Sequence, residues 1–409
     1  MSVKQDPVLA DQAPGDAPGA DWVVQGWCPG ARRPMMAADG LVARVRPTLS
    51  RISPAQLSAL ADLAETHGSG VVEATARANL QVRGLSAEGH AALLAGLAPL
   101  GLLDPDAEAE ARRNVVLTPF PGAAAAEVDA IASALCAALT AADAPRLPGK
   151  FGFLVDCGPQ RRLSGISGDI RIERDDAGAL MVRADGTETG TPAANAADAA
   201  RIALSLAEWF VASGGVGADG RGRMRRHLAA GAVPPPGLTG TEAPAEAAPD
   251  PAPGLHGETL LLAAAFGQFP SHALRAIAAA CPEDAAIGVT PFRMLALPLS
   301  TLPAALASEA PLIHDPADPL LRVSCCTGAP GCPQAAAPTR ALAAALAPQV
   351  PPGRTLHVSG CAKGCAHPGP ADTTLTARGG LFDLVRDGRA WDEPTRRALR
   401  PEDLTDTLF

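Results

Sequence analysis

The 409-residue chain has no tyrosine, and aromatic residues make up only 3% of it. Its cores must therefore be filled mainly by Ala and Leu. Hydrophobic residues still reach 47%, with a mean hydropathy of +0.11, enough for large cores. The length suggests two to four domains rather than one. No apolar run reaches the ~18 residues that a membrane-spanning helix needs. The longest, residues 91–103, is interrupted by Pro99 and Gly101. The first twenty residues are acidic, rich in Ala, Gly and Pro, and lack an apolar segment. That composition predicts a disordered start and argues against a secretory signal. The expected compartment is the cytoplasm, where free thiols persist. A net charge of −9 speaks against nucleic acid as a partner. No Gly-rich dinucleotide fingerprint follows a predicted strand. Lysine is nearly missing, with only Lys4, Lys150 and Lys363 present, so arginine does the cationic work. An acidic chain with local Arg clusters suits a compact polyanionic ligand.

What the chain does have is cysteine in one place. Five of its nine cysteines fall within residues 324–368. Cys326 and Cys332 are six apart, Cys361 and Cys365 four apart, and Cys325 is a neighbour of the first pair. Two close pairs of soft thiolates can wrap an iron–sulfur cluster. Gly328, Gly331, Gly360 and Gly364 permit tight turns beside it, and Pro330 and Pro333 stiffen the loop. Structural zinc is a competing reading, but its pairs are normally C-x2-C to C-x4-C. Unliganded packed thiols are another. The spacing favours the cluster.

Along the chain, 41–46 alternates apolar and polar residues as a strand, with Arg44 and Arg46 on one face. Ser53, Pro54 and Gln56 read as a capping box opening a helix that ends at Gly68. Strands at 71–75 and 79–82 and a helix at 87–97 complete a ferredoxin-like α+β order. Helices are expected at 127–142 and 193–212. The run 221–227 is basic, and such runs are usually solvated faces. Residues 231–254 are rich in Pro, Ala, Gly and Glu and read as a flexible linker. After it the order repeats: strand 259–265, helix 271–280, strands 286–290 and 294–297, helix 302–308. Arg293 falls near the place of Arg77. The period of about 220 residues means a duplicated half rather than a solenoid. A helix at 334–346 and a strand at 355–358 separate the cysteine pairs. A hairpin at 372–385 and a tail from 391 close the chain.

C-x5-C followed by C-x3-C resembles the cluster site of the nitrite/sulfite reductase superfamily. The segment 74–84 carries the superfamily's Thr-x-Arg-x-x-x-Gln pattern as Thr75, Arg77 and Gln81. Residues 111–119 resemble its Arg-Asn-Val segment, and 147–156 its Pro-x-Lys-Phe-Lys segment, with Gly152 where the second lysine stands. The resemblance runs from about Gly26 to Arg389. It implies an α+β, duplicated nitrite/sulfite reductase-like architecture: two ferredoxin-like half-domains plus two α/β catalytic half-domains related by pseudo-twofold symmetry. The expected boundaries are 1–21 disordered, 22–105 first ferredoxin-like half-domain, 106–230 first catalytic domain, 231–254 linker, 255–315 second ferredoxin-like half-domain and 316–409 second catalytic domain. It also implies Cys326, Cys332, Cys361 and Cys365 as ligands of a 4Fe–4S cluster. Arg77 and Lys150 are the implied catalytic residues, and Arg46, Arg77, Arg113, Asn114 and Lys150 the implied substrate ligands.

Within the superfamily, Gly-Trp-Cys-Pro-Gly at 26–30, Leu-Pro-Gly-Lys-Phe-Gly at 147–152 and the second cysteine motif look like the precorrin-3B synthase branch. That branch implies an oxygen-dependent monooxygenase of cobalamin biosynthesis. It would hydroxylate precorrin-3A at C20 and close a lactone, with a 4Fe–4S cluster and a non-haem iron. The missing dinucleotide fingerprint then implies that NADH acts through a separate electron-donor reductase. His367 is a candidate iron ligand against a structural role. A sirohaem-dependent sulfite or nitrite reductase stays open, although Gly152 removes a cation from an anion pocket. A non-enzymatic tetrapyrrole or cluster carrier also stays open.

Overall fold

The computed structural model describes residues 28–404 and 408–409. The expected disordered start, 1–21, and the first part of the opening loop, 22–27, lie outside the described residues. Four sheets organise the rest. Each ferredoxin-like half contributes one, and each catalytic half contributes one.

The first helix, Pro54–His67, forms where the sequence signals it. Ser53 accepts from the Gln56 N–H, and the Gln56 side chain accepts from the Ser53 N–H, a capping box of about 1 kcal/mol. Its face of Leu57, Leu60, Ala61 and Ala64 is buried. That face packs against the helix Ser271–Ala280 of the second half, and Ser271 Oγ donates to the Ala61 carbonyl at 2.9 Å. One apolar core thus serves both ferredoxin-like halves, running from Leu57 and Leu60 to Leu274 and Ile277.

The two halves also exchange strands. The first sheet runs Met35–Ala37, Gly40–Val45, Leu80–Leu85, Val71–Ala74, and ends on Gln268–Pro270 from the second half. The other runs Gly254–His256, Thr259–Ala264, Leu295–Leu297, Ile287–Val289, and ends on Arg51–Ile52 from the first half. The swapped strands follow matching kinks, with φ +54° at Leu49 and +58° at Phe266. The hairpins match too, with φ +52° at Ala78 and +59° at Arg293. This exchange is what a duplicated chain needs to satisfy the edge of each sheet within one body.

Each catalytic half is a mixed sheet. Val115–Leu117, Phe153–Val155 and Ile170–Arg174 are parallel, and Leu180–Ala184 and Thr191–Pro192 complete the first sheet antiparallel. In the second, Val323–Cys325, Leu356–Ser359 and Ala371–Arg378 are parallel, and Leu381–Gly388 and Arg396–Leu399 follow antiparallel. The tail expected from 391 therefore contains a strand. The helical stretch Gly122–Thr140 is long and apolar enough, by composition alone, to resemble a membrane span. Here it buries Val128, Ile131, Ala132, Leu135 and Leu139 in the first catalytic core.

Two further expectations change. The helix expected at 334–346 begins only at Arg340. Pro338 cannot continue a helix, and residues before it serve the cysteine loops instead: Ala336 N–H donates to the Gly360 carbonyl at 2.7 Å. The stretch read as a flexible linker is tied down along the first catalytic half. Bridges join Gly190 to Glu242, Asp175 to Pro244 and Arg161 to Ala247. A Pro-rich strand lacks the donors to pair along its whole length, but single backbone bonds dock it as a strap.

Candidate functional site

The two cysteine loops leave the carboxyl ends of neighbouring parallel strands, where open α/β sheets place their ligands. Cys326 follows Val323–Cys325, and Cys361 comes two residues after Leu356–Ser359. Period-2 alternation sorts Cys325 away from the group. Its side chain points with Val323 into the core, 5% exposed, and burial pushes its thiol up to about 12. Cys326, Cys332, Cys361 and Cys365 face one another closely enough that Cys326 and Cys332 raise the thiol pKa of both Cys361 and Cys365. Burial is the larger cause in each case. Cys365 keeps accessible surface, yet the atoms packed around its thiol push it up to about 11. The Gly360 N–H donates to Cys326 Sγ at 3.1 Å, and a Cβ at Gly360 would meet that sulfur at 3.4 Å. The Cys326 carbonyl accepts from Thr339 Oγ1 at 2.9 Å.

Among the described residues, no three His, Cys, Asp or Glu side chains gather around an ion-sized point. Four thiols arriving as two close pairs are donors of the kind that suits an iron–sulfur cluster. The donor set is all soft sulfur, with an amide N–H aimed at one of the thiols.

Beside these loops lies a cluster of cationic side chains. Arg77 sits in the turn between Val71–Ala74 and Leu80–Leu85, and donates to the Lys150 carbonyl at 3.1 Å. It is half-buried, and burial lowers its pKa. Arg46, 6% exposed, is pulled down to about 10 by burial. It donates to the Glu110 carbonyl, and its buried Nε has no hydrogen-bond partner. Lys150 is exposed at the rim. Burial lowers its pKa first, and Arg77, Arg223 and Lys363 add to that. Lys363 lies between Cys361 and Cys365, so the cationic cluster adjoins the cysteine loops.

Cys28 occupies the middle of these charges. Burial pushes its thiol up, but Arg77, Arg44, Lys150 and Arg46 outweigh it and hold the pKa below its ordinary value. Isolated in the sequence from the other cysteines, Cys28 reads by itself as no more than a packed thiol.

Arg113 and Asn114, expected to touch substrate, are both buried and bonded to protein groups. Arg113 grips Asp104 at 2.5 and 2.8 Å and donates to the Arg46 carbonyl at 2.7 Å. Burial lowers its pKa, but Asp104 outweighs that and the net shift is upward. Asn114 Nδ2 donates to the Phe151 carbonyl at 3.0 Å and so fixes the loop that carries Lys150. A Cβ at Gly152 would stand 2.7 Å from that same Nδ2. The lysine expected at 152 by resemblance has no room without displacing Asn114.

Residues 33–100 match the nitrite/sulfite reductase ferredoxin-like half domain. The solved structure of the Mycobacterium tuberculosis NirA protein superposes with a TM-score of 0.65 at 18% identity, covering 90% of this chain and 79% of that one. That likeness supports the fold. A precorrin-3B synthase from Sinorhizobium sp is 32% identical, over 92% of this chain and 86% of the relative. The chain belongs to the precorrin-3B synthase family.

In this member of the precorrin-3B synthase family, the cationic cluster includes residues that the sequence alone does not single out. Besides Cys28 these are Lys363 and Arg223. Arg223 comes from the run 221–227, read as a solvated face. Instead, Arg223 binds Asp169 at 2.9 Å and Arg225 binds Asp185 at 3.1 Å. The spacing of Cys28 carried no signal, but its place in the motif shared with the precorrin-3B synthase branch did. His367 packs edge-on against His357 with ring centroids 5.7 Å apart. His357 is completely buried, and burial drives its pKa down to about 3.

Proposed function

We propose that this chain makes precorrin-3B from precorrin-3A in aerobic cobalamin biosynthesis, hydroxylating C20 and closing the ring A lactone. Dioxygen would be the oxygen source, and electrons from NADH would arrive through a separate reductase. The observation that carries this reading is the gathering of Arg46, Arg77 and Lys150 around Cys28, with Lys363 of the cysteine loops within electrostatic reach of Lys150. Precorrin-3A carries many carboxylates. Each carboxylate paired with a guanidinium or ammonium in this half-buried setting gains roughly 1.5–3 kcal/mol as a charge-assisted hydrogen bond.

The residues divide the work. Arg77 and Lys150 hold the carboxylate rim. Arg46 extends the positive field from beneath, and its unpartnered Nε offers one more donor. Arg113 and Asn114 position Arg46 and the Lys150 loop without meeting the substrate. Cys326, Cys332, Cys361 and Cys365 would hold a 4Fe–4S cluster. When bound, that cluster supplies one-electron transfer, and a non-haem iron supplies the chemistry of dioxygen. Lys363, between two of the thiols, keeps the macrocycle's negative edge turned toward them.

The test is anaerobic loading of purified protein with precorrin-3A, then addition of a reductant and isotopically labelled dioxygen, followed by mass analysis. The expected result is one labelled oxygen in the product. An unchanged tetrapyrrole mass, or turnover of sulfite or nitrite under argon by a haem-coloured protein, would overturn the reading.

A further inference from the structure

The strand Leu356–Ser359 turns Leu356 and Val358 into the core of the second catalytic half. His357 therefore faces the opposite side of the sheet, the side of Ser324 and Thr374 with which it is in register. It is 0% exposed, and neither ring nitrogen has a hydrogen-bond partner. A buried polar ring with both nitrogens unpaired is costly to fold, so it calls for an explanation.

Its neighbour supplies one. His367, on the loop after Cys365, packs against it with ring centroids 5.7 Å apart at an interplanar angle of 66°. His367 Nε2 is 3.1 Å from the Pro370 carbonyl, which fixes the proton on Nε2 and leaves Nδ1 with a bare lone pair. A second nitrogen donating to a backbone carbonyl is the usual outer support of a metal-binding histidine.

We propose that His357 and His367 together bind one divalent first-row transition-metal ion, separate from the four thiols. An ion about 2.0–2.1 Å from each nitrogen sets the two centroids about 4.5–5.3 Å apart for octahedral or tetrahedral angles. The observed separation exceeds that range by about half an ångström, a small rotamer adjustment of the loop imidazole. Imidazole suits iron, cobalt, nickel, copper and zinc, and two protein donors leave the remaining positions for water or substrate oxygen. This deepens the proposed function, because that reading needs a metal besides the cluster and the chain must hold it somewhere.

The probe is cobalt(II), titrated anaerobically into the full-length protein with its cluster loaded. The expected result is a weak visible band of nitrogen-ligated cobalt saturating at a single ion. In His357→Asn and in His367→Ala the binding should weaken at least tenfold while the brown absorbance of the cluster persists, which reports an intact fold. In the wild-type protein, bound cobalt should also protect His367 from carbethoxylation, a readout that needs no variant. Absence of cobalt binding, an intense sulfur-to-cobalt band instead of the weak one, unchanged affinity in either variant, or no protection of His367 would each overturn the site. None of these readouts uses tetrapyrrole or dioxygen, so failure here is separable from failure of the proposed reaction.

Discussion

Arg77 donates to the Lys150 carbonyl at 3.1 Å, joining residues 73 positions apart across two domains. Neither lies on regular secondary structure: Arg77 is in a hairpin turn and Lys150 in a loop. The bond fixes the guanidinium where a carboxylate can reach its remaining donors, and keeps the lysine stem beside it.

Arg77→Ala should therefore weaken tetrapyrrole binding by about 1–3 kcal/mol. Equilibrium quenching of Trp fluorescence by precorrin-3A would measure it. Equal affinity in the variant would remove Arg77 from the binding surface.

The cysteines separate by face. Cys361→Ser should abolish the brown absorbance together with bound iron and sulfide. Cys325→Ala should keep all three, because that thiol packs in the core with Val323. A cluster that survives the first change, or is lost in the second, would redraw the ligand set.

Cys28 should alkylate at lower pH than the ordinary thiol. Its folded pKa is depressed, so the reactive thiolate persists as pH falls below the range of free cysteine. Mass-resolved iodoacetamide rates against pH would show this, and Arg77→Ala should move the Cys28 midpoint upward. A midpoint at or above that of free cysteine would show that the surrounding cations do not reach the sulfur.

Asp156 gives the opposite sign. It is 1% exposed, burial raises its carboxyl to about 6, and one oxygen accepts from the Leu163 N–H at 2.6 Å. The native state therefore binds its proton more tightly than the unfolded chain. This contribution is fully present below about pH 4 and is lost as pH rises through about 6, roughly 3 kcal/mol in all. Urea unfolding at pH 5 and pH 8 should show Asp156→Asn losing that part of the wild-type slope. The same pH difference in both proteins would refute it.

Local signals were legible because they act within a few residues. The Ser53–Gln56 capping box needs only one turn of chain, and it formed as read. Duplication was legible as a repeated order of elements, but the exchange of Arg51–Ile52 and Gln268–Pro270 was not, since either strand could have closed its own sheet. The fate of each arginine was equally hidden. Arg46 and Arg113 look alike in sequence, yet Asp104 lies within reach of only one of them.

By itself, the sequence determined that soft sulfur donors arrive as two pairs on turn-forming loops, because turn chemistry and ligand spacing are properties of short stretches. Only the tertiary structure decided which charges meet. It brought Cys28, Arg77, Lys150 and Lys363 together from separate elements and set His357 beneath His367. Electrostatic and coordination energies fall off within a few ångströms of space, whatever the distance along the chain.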